Sequence, residues 1–491
     1  MRLLLALLLA APPALAQPLY LDVTDDALPT IPFNQRATMD IEAADLDGDG
    51  DLDIVLACEG CENVLLINNG DGTFADGRDR LPDSNTYDSE DIAIADFDGD
   101  GDLDLIFVQE DFINFNGIGR QHEFFLNDGT GTFTPARFTL PDSEANAIAV
   151  ADLNSDDRPD IVIGNAGQDF VLINDGQGGF LDETAARIPV EDRTNQDVAF
   201  ADVDGDGDLD LFVGNENDNA LLLNDGTGVF TDVTATNLPA SPPVETRKAT
   251  FADVDGDGDL DVYLSNVFFL FQRDPQDRLW LNDGTGVFTD ATAANLPASA
   301  ATNLDAKFLD VDGDGDLDLI AHGVGQTVPV RLYTNDGAGV FIDATDALLP
   351  ALPTADGLAL EVADFDGDER LDLFIGNRGQ VDRLLLRDPN VGTATETGSA
   401  DPARPLLAPP YPNPARGSAT LNVELAKAEP VDLAIYDLLG RRVATVHAGR
   451  LGQGQHTRTV RTDSLVAGVY VCRLTTARSV ATQSLFVAGE R

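Results

Sequence analysis

The string D-x-D-x-D-x-x-x-D, with Asp or Asn at its third place, recurs seven times, starting at Asp45, Asp96, Asp152, Asp202, Asp253, Asp310 and Asp364. The intervals are 51, 56, 50, 51, 57 and 54 residues. So regular a period implies one supersecondary unit repeated as a propeller or a solenoid. The pattern within each unit is all β. In the second unit the alternating run Asp91–Ala95 leads into the acidic loop and then into Leu103–Val108. In the fourth, Ala220–Leu223 runs into Asn224-Asp225-Gly226-Thr227-Gly228, a tight-turn sequence, and Phe230–Thr234 follows. Four short strands make one propeller blade.

A ring, unlike a solenoid, must join its two ends. The seventh repeat breaks at Asp388-Pro389-Asn390 without its turn or its fourth strand. The missing strand lies at the other end: Tyr20-Leu21-Asp22-Val23-Thr24 with Leu28-Pro29 matches Phe230–Thr234 with Leu238-Pro239. The N-terminal strand is therefore expected to complete the last blade and leave no open edge. The expected fold is all-β, a seven-bladed β-propeller followed by a small Ig-like β-sandwich.

The loops carry the chemistry. Asp45, Asp47 and Asp49 at places 1, 3 and 5 converge on one point, the backbone carbonyl of Asp51 at place 7 faces it, and Asp53 at place 9 closes the shell. Like charges this close repel unless a hard cation sits between them, and all-oxygen ligation selects calcium. The same set recurs as Asp96, Asp98, Asp100, Asp102 and Asp104; as Asp202, Asp204, Asp206, Asp208 and Asp210; as Asp253, Asp255, Asp257, Asp259 and Asp261; and as Asp310, Asp312, Asp314, Asp316 and Asp318. These five loops are complete, with Gly at place 6. Two are degraded. The third offers Asp152, Asn154, Asp156 and Asp160 with Asp157 at the glycine place; the seventh offers Asp364, Asp366, Asp368 and Asp372 with Glu369 there and Arg370 next. Five strong calcium sites and two degenerate ones are expected. Place 12 of the first loop is Leu56, so the bidentate Glu of a helical EF-hand is missing and a β-hairpin loop fits instead.

The formal net charge of -56 excludes nucleic acid as a partner. The charge is uneven: residues 391–491 hold 8 acidic and 11 basic side chains, so the preceding chain carries -59. Lysine is scarce (Lys248, Lys307 and Lys427), which suits either a salty habitat or biased base composition. Residues 1–16, with Arg2, a short apolar run and Ala14-Leu15-Ala16, read as a secretory signal peptide cleaved after Ala16; the run is too short for a transmembrane anchor. Cys58 and Cys61 are expected to form a structural disulfide, since no βαβ pattern of a redox dithiol surrounds them, and Cys472 reads as a strand residue. His122, His322, His447 and His456 share no spacing and read as structural or exposed.

These repeats, over about residues 18–388, resemble the FG-GAP/VCBS family, whose integrin α-subunit members form seven-bladed propellers with calcium loops in the blade hairpins. The resemblance implies calcium at Asp45, Asp47, Asp49 and Asp53 and at the matching places elsewhere, but no particular ligand.

The propeller is assigned to 17–388. Residues 389–410, rich in Pro, Ala, Gly and Thr, read as a linker. From 411 to 491 the pattern is of alternating strands: Thr420–Leu425, Val431–Tyr436, Arg442–Val446, His456–Arg461, Gly468–Leu474 and Ala481–Val487. Tyr411-Pro412-Asn413-Pro414, Tyr436–Arg441 and Ala467–Tyr470 resemble the C-terminal sorting domain of type IX secretion cargo. That implies a partnership with the type IX machinery, passage through the outer membrane, and surface attachment or release.

The functional expectation is a secreted or cell-surface, monomeric, non-catalytic binding or adhesion module with a protein or glycan ligand. The alternatives are a polysaccharide lyase or hydrolase on the same propeller, and a structural surface-layer component. No nucleophile-base pair breaks the repeat. The long connections Gln109–Gln121 (Phe112, Phe115, Arg120) and Asn266–Asp277 (Phe268, Phe269, Phe271, Arg273) are the candidate ligand surfaces.

Overall fold

A computed structural model of the chain describes residues 18–31, 37–82, 87–110, 122–190, 192–240, 242–269, 273–298, 302–324, 330–391, 406–425, 427–437, 442–462, 465, 468–476 and 480–487. The leader assigned to 1–16, Phe112, Phe115, Arg120 and Phe271 lie outside them. The earlier strands build seven four-stranded antiparallel units. The fourth is Arg193–Ala201, Asp210–Asn215, Ala220–Asn224 and Phe230–Asp232, joined in that order. Its second strand is buried throughout, because it is sandwiched between neighbouring blades.

The seventh blade confirms the expected closure. Tyr20–Asp22 pairs with Arg383–Arg387 in the register Tyr20↔Arg387, Leu21↔Leu386, Asp22↔Leu385. The first strands of successive blades lie side by side, and Thr38–Ala44 packs against Asp356–Ala363, so the circuit of seven is complete. One expectation fails in detail. The runs read as strands to Thr24 and Thr234 stop at Asp22 and Asp232, and Thr24–Ala27 and Thr234–Asn237 are single helical turns. Asp22 Oδ1 accepts from Thr24 N at 3.2 Å and Asp232 Oδ1 from Thr234 N at 2.9 Å. This local bond outcompetes the ladder.

Every first strand carries a bulge, after which Asp40, Asp91, Asp197 and Asp305 each latch onto the next blade. Ile92, Ile148, Ala249 and Leu360 donate their backbone N–H to these carboxylates at 3.2, 2.8, 2.7 and 2.8 Å. Lys248 and Lys307 belong to this same inner wall, Lys307 Nζ lying 3.1 Å from Glu361 Oε2. The two lysines of the propeller thus serve as internal counter-charges.

Cys58 and Cys61 are disulfide-bonded as expected, at a Cα separation of 5.4 Å, and buried Cys472 is free. The C-terminal region forms a seven-stranded sheet in the order 442–451, 429–437, 468–476, 480–487, 406–416, 418–425, 454–461. Its two ends fold over a shared core that includes Leu421, Val423, Leu433, Ile435 and Leu474. The Tyr-Pro-Asn-Pro motif lies in the strand Leu406–Arg416, which starts inside the segment assigned to the linker. No helix among the described residues is long and apolar enough to cross a membrane.

Candidate metal centres at the blade junctions

Each acidic loop joins the first and second strands of its blade, and its backbone is wound around the place-1 carboxylate. In the first loop Asp45 Oδ1 accepts from Gly48 N at 2.8 Å and Oδ2 from Gly50 N at 3.1 Å. Gly50 makes this with φ +101°, where a side chain would be strained. The same pair of bonds recurs at Asp96, Asp202, Asp253 and Asp310. The winding gathers the other side chains. Asp45, Asp47 and Asp49 bring carboxylate oxygens within 4.8 Å of one another, as do Asp202, Asp204 and Asp206. In the sets Asp96, Asp98, Asp104; Asp253, Asp255, Asp261; and Asp310, Asp312, Asp318 the place-9 carboxylate joins instead. Asp47 Oδ1 is buried without a hydrogen-bond partner, although Oδ2 receives Arg80 Nη1 at 3.2 Å. Convergent, partly orphaned carboxylate oxygens form a donor set that could hold a hard divalent cation.

The place-9 residues do two jobs. Asp53 is fully buried; its Oδ2 accepts from Leu46 N at 3.1 Å and its Oδ1 from Asn68 N at 2.9 Å, tying the loop to the third strand. Burial pushes the carboxyls of Asp53, Asp104 and Asp160 up to about 6, and those of Asp210, Asp261, Asp318 and Asp372 up to about 7. The place-7 side chains have a different neighbour. A Cβ on Gly129 would stand 2.6 Å from Asp102 Oδ2, and one on Gly226 2.5 Å from Asp208 Oδ2. Asp51, Asp259 and Asp316 lie over Gly70, Gly284 and Gly337 in the same way. At place 7 the side chain is thus turned toward the glycine of the neighbouring turn.

The two degraded loops differ in charge and in strain. Arg158 pairs with Asp156, and Arg370 Nε lies 3.0 Å from Asp368 Oδ2, so in each the place-5 carboxylate is engaged by a guanidinium two residues on. At place 6, Asp157 and Glu369 hold φ 65° and 68°, as non-glycine residues rarely do. Asn154 Oδ1 is nevertheless buried without a partner.

Sequence reasoning missed the asparagines that end the third strands and took them as turn formers. Asn127 Nδ2 donates at 2.8 Å to Leu46 O in the preceding blade's acidic loop. Asn174, Asn282, Asn335 and Asn68 reach Phe97 O, Val203 O, Val254 O and Phe365 O in the same way. Their signal was the recurrence of Asn at one register position. The acidic loops therefore sit where one blade meets the next. The Phe268/Phe269 connection leaves the opposite end of the second strand from the loop of its own blade; both rings are exposed, and the Arg247 guanidinium lies 5.2 Å from the Phe269 centroid.

The repeat pattern can now be placed. The FG-GAP-like repeat matches residues 45–107, 152–213, 202–264, 266–321 and 322–375, more than half of the chain. The chain belongs to the FG-GAP-like repeat family. Residues 410–488 match the secretion system C-terminal sorting domain, which implies export by type IX secretion to the cell surface or extracellular space. None of the curated proteins compared with the chain matches it. Among solved structures, it is similar to an Agrocybe aegerita lectin that recognises non-reducing terminal N-acetylglucosamine (21% identity, 63% of this chain and 79% of that one, TM-score 0.40). It is also similar to BBS1N in complex with ARL6DN, in mercury- and lead-soaked crystals (14% identity, 77% and 99% covered, TM-scores 0.48 and 0.49). At these values the likenesses carry no argument about function.

Proposed function

We propose that this FG-GAP propeller is a secreted or surface-displayed binding module, adhesive and non-catalytic, made rigid by calcium and delivered by its sorting domain. The observation that carries the reading is the position of the convergent carboxylates: five of the seven acidic loops accept an asparagine Nδ2 from the next blade, so a cation there would tighten the ring. A catalytic ion would need a positive field to spare, and four or five carboxylates per loop outweigh the ion's charge. Calcium would be held by Asp45, Asp47, Asp49 and Asp53 and their counterparts, and would supply charge neutralisation. We assign the signal peptide to 1–16, the propeller to 17–388 and the sorting domain to the chain from the strand at Leu406 onward.

A glycan and protein-ligand array, run beside a panel of polysaccharide lyase and hydrolase substrates, tests the reading. Retention of a ligand without turnover is the expected result; turnover of any polysaccharide that survives purification to constant specific activity would make the protein an enzyme. Deleting residues 406–491 should strand a folded propeller in the periplasm, as fractionation would show.

A further inference from the structure

Six blade junctions share a polar clasp. The residue before each third strand accepts a backbone N–H from the end of the second strand: Asn63 from Cys58 at 3.0 Å, His122 from Gln109 at 3.2 Å, Asp169 from Asn165 at 2.9 Å, Asn219 from Asn215 at 3.0 Å, Asp277 from Asn266 at 3.1 Å and Asp382 from Asn377 at 2.9 Å. The same side chain then reaches the next blade, as Asn219 Nδ2 reaches Thr246 Oγ1 at 2.9 Å and Asp382 receives Thr38 Oγ1 at 3.1 Å. Blade six breaks this rule. Its residue in that place is Val330, and the next blade offers Gly357 at the register position held elsewhere by Thr38, Ser89, Ala145, Asn195, Thr246 and Asn303. Into the vacated space comes His322, at a register position held elsewhere by Ala57, Val108, Gly164, Gly214, Ser265 and Gly376. A Cβ on Gly357 would overlap its ring.

The departure leaves a cleft of about 340 Å³ between blades six and seven. Its lining includes polar side chains that are incompletely satisfied: His322 Nδ1, Asn377 Oδ1 and Arg383 Nε are all buried with no hydrogen-bond partner, and His322 is 2% exposed. It also includes the apolar Leu349, Pro350, Leu352 and Pro353. Buried polar atoms without partners are costly unless a ligand or water completes them. We propose that this cleft is a ligand site for the terminal residue of an uncharged glycan, resting on the binding-module reading above. An acceptor, a guanidinium donor and an imidazole nitrogen among the lining side chains suit ring hydroxyls, which donate and accept; the Leu and Pro side chains suit the apolar face of a sugar ring. The volume lies at the small end of ligand pockets, enough for a single residue. An anionic sugar is disfavoured by Asp346 in the lining and by the chain's net charge of -56.

The test uses the full chain on an array of neutral and acidic oligosaccharides and unrelated extracellular proteins, with wild type, Ala351→Trp and His322→Ala. Ala351 is exposed at the cleft mouth, so the indole should fill the cleft without disturbing the core, and unchanged melting and calcium content would verify this. The proposal expects neutral glycans to bind, with at least a tenfold loss in Ala351→Trp and a smaller loss in His322→Ala. Glycan binding that survives Ala351→Trp would overturn the cleft while leaving the binding-module reading intact. Binding to proteins alone, or only to acidic glycans, would overturn the assigned ligand class. No ligand of any kind would remove the cleft and the binding reading together.

Discussion

Five acidic loops and two acidic loops share one winding of the chain and differ in what balances their charge. In the loops at Asp45, Asp96, Asp202, Asp253 and Asp310, five carboxylates per nine residues face a glycine-lined turn with no cation in the same stretch. In those at Asp152 and Asp364 a guanidinium, Arg158 or Arg370, holds the place-5 carboxylate, and place 6 carries a strained non-glycine residue. One architecture can thus be closed by a bound ion or, in part, by a residue of its own. On this account calcium is tight in the first group and weak in the second.

Chelation should have the largest effect. A site saturated a hundredfold above its Kd adds about 2.7 kcal/mol, and five such sites add about 13 kcal/mol, comparable to the whole stability of a typical domain, about 5–15 kcal/mol. EGTA at neutral pH should lower the Tm by tens of degrees in calorimetry, and an unchanged melt would reduce all seven loops to acidic turns.

Next in size is an inversion with pH. The place-9 carboxyls stand at about 6 to 7 in the folded chain, above the ordinary aspartate value of about 3.9. A raised carboxyl contributes stability that is complete below the unfolded value and is lost as pH rises through the folded one. Without calcium the Tm should therefore fall between pH 4 and 8. With saturating calcium, which favours the ionised form, it should rise over the same range. Parallel curves in the two conditions would mean that these residues do not meet the ion.

Single loops give smaller contrasts. Asp206→Ala should remove one tight ion and cost about 2–3 kcal/mol in calcium but little in EGTA. Asp156→Ala, which breaks the pair with partly exposed Arg158, should cost about 1 kcal/mol or less in both conditions. Most informative about mechanism is restoring a loop: Glu369→Gly with Arg370→Asp should relieve about 1 kcal/mol of left-handed strain in EGTA and convert a weak calcium site into a tight one, as counted by titration.

Much of this was legible in the chain. The period gave the seven blades, and Tyr20–Asp22 could be assigned to the last blade because its residues copy a fourth strand. The acidic sets were legible because places 1, 3, 5 and 9 are fixed by local winding. What stayed hidden lies between blades. Asn127 and Leu46 are 81 residues apart, and their bond depends on how the blades pack rather than on either local pattern. Asp40 looked like any strand residue until the bulge beside it exposed its partner, Ile92 N. His322 was read as structural or exposed. Only aligning the blades on their acidic loops reveals Val330, His322 and Gly357 as a joint departure. The strand that carries Tyr411 begins at Leu406, inside the run read as linker, because alternation is a weak signal in a proline-rich run.

The central claim is that tight calcium ions, one for each complete loop, hold the blade junctions. Isothermal titration of the decalcified full chain with calcium, with bound metal counted by mass spectrometry, tests it most directly. The account predicts five tight sites, lost one at a time with substitutions at places 1, 3 and 5, and two weaker sites at the loops of Arg158 and Arg370. Fewer than three bound ions, or seven sites of equal affinity, would contradict it.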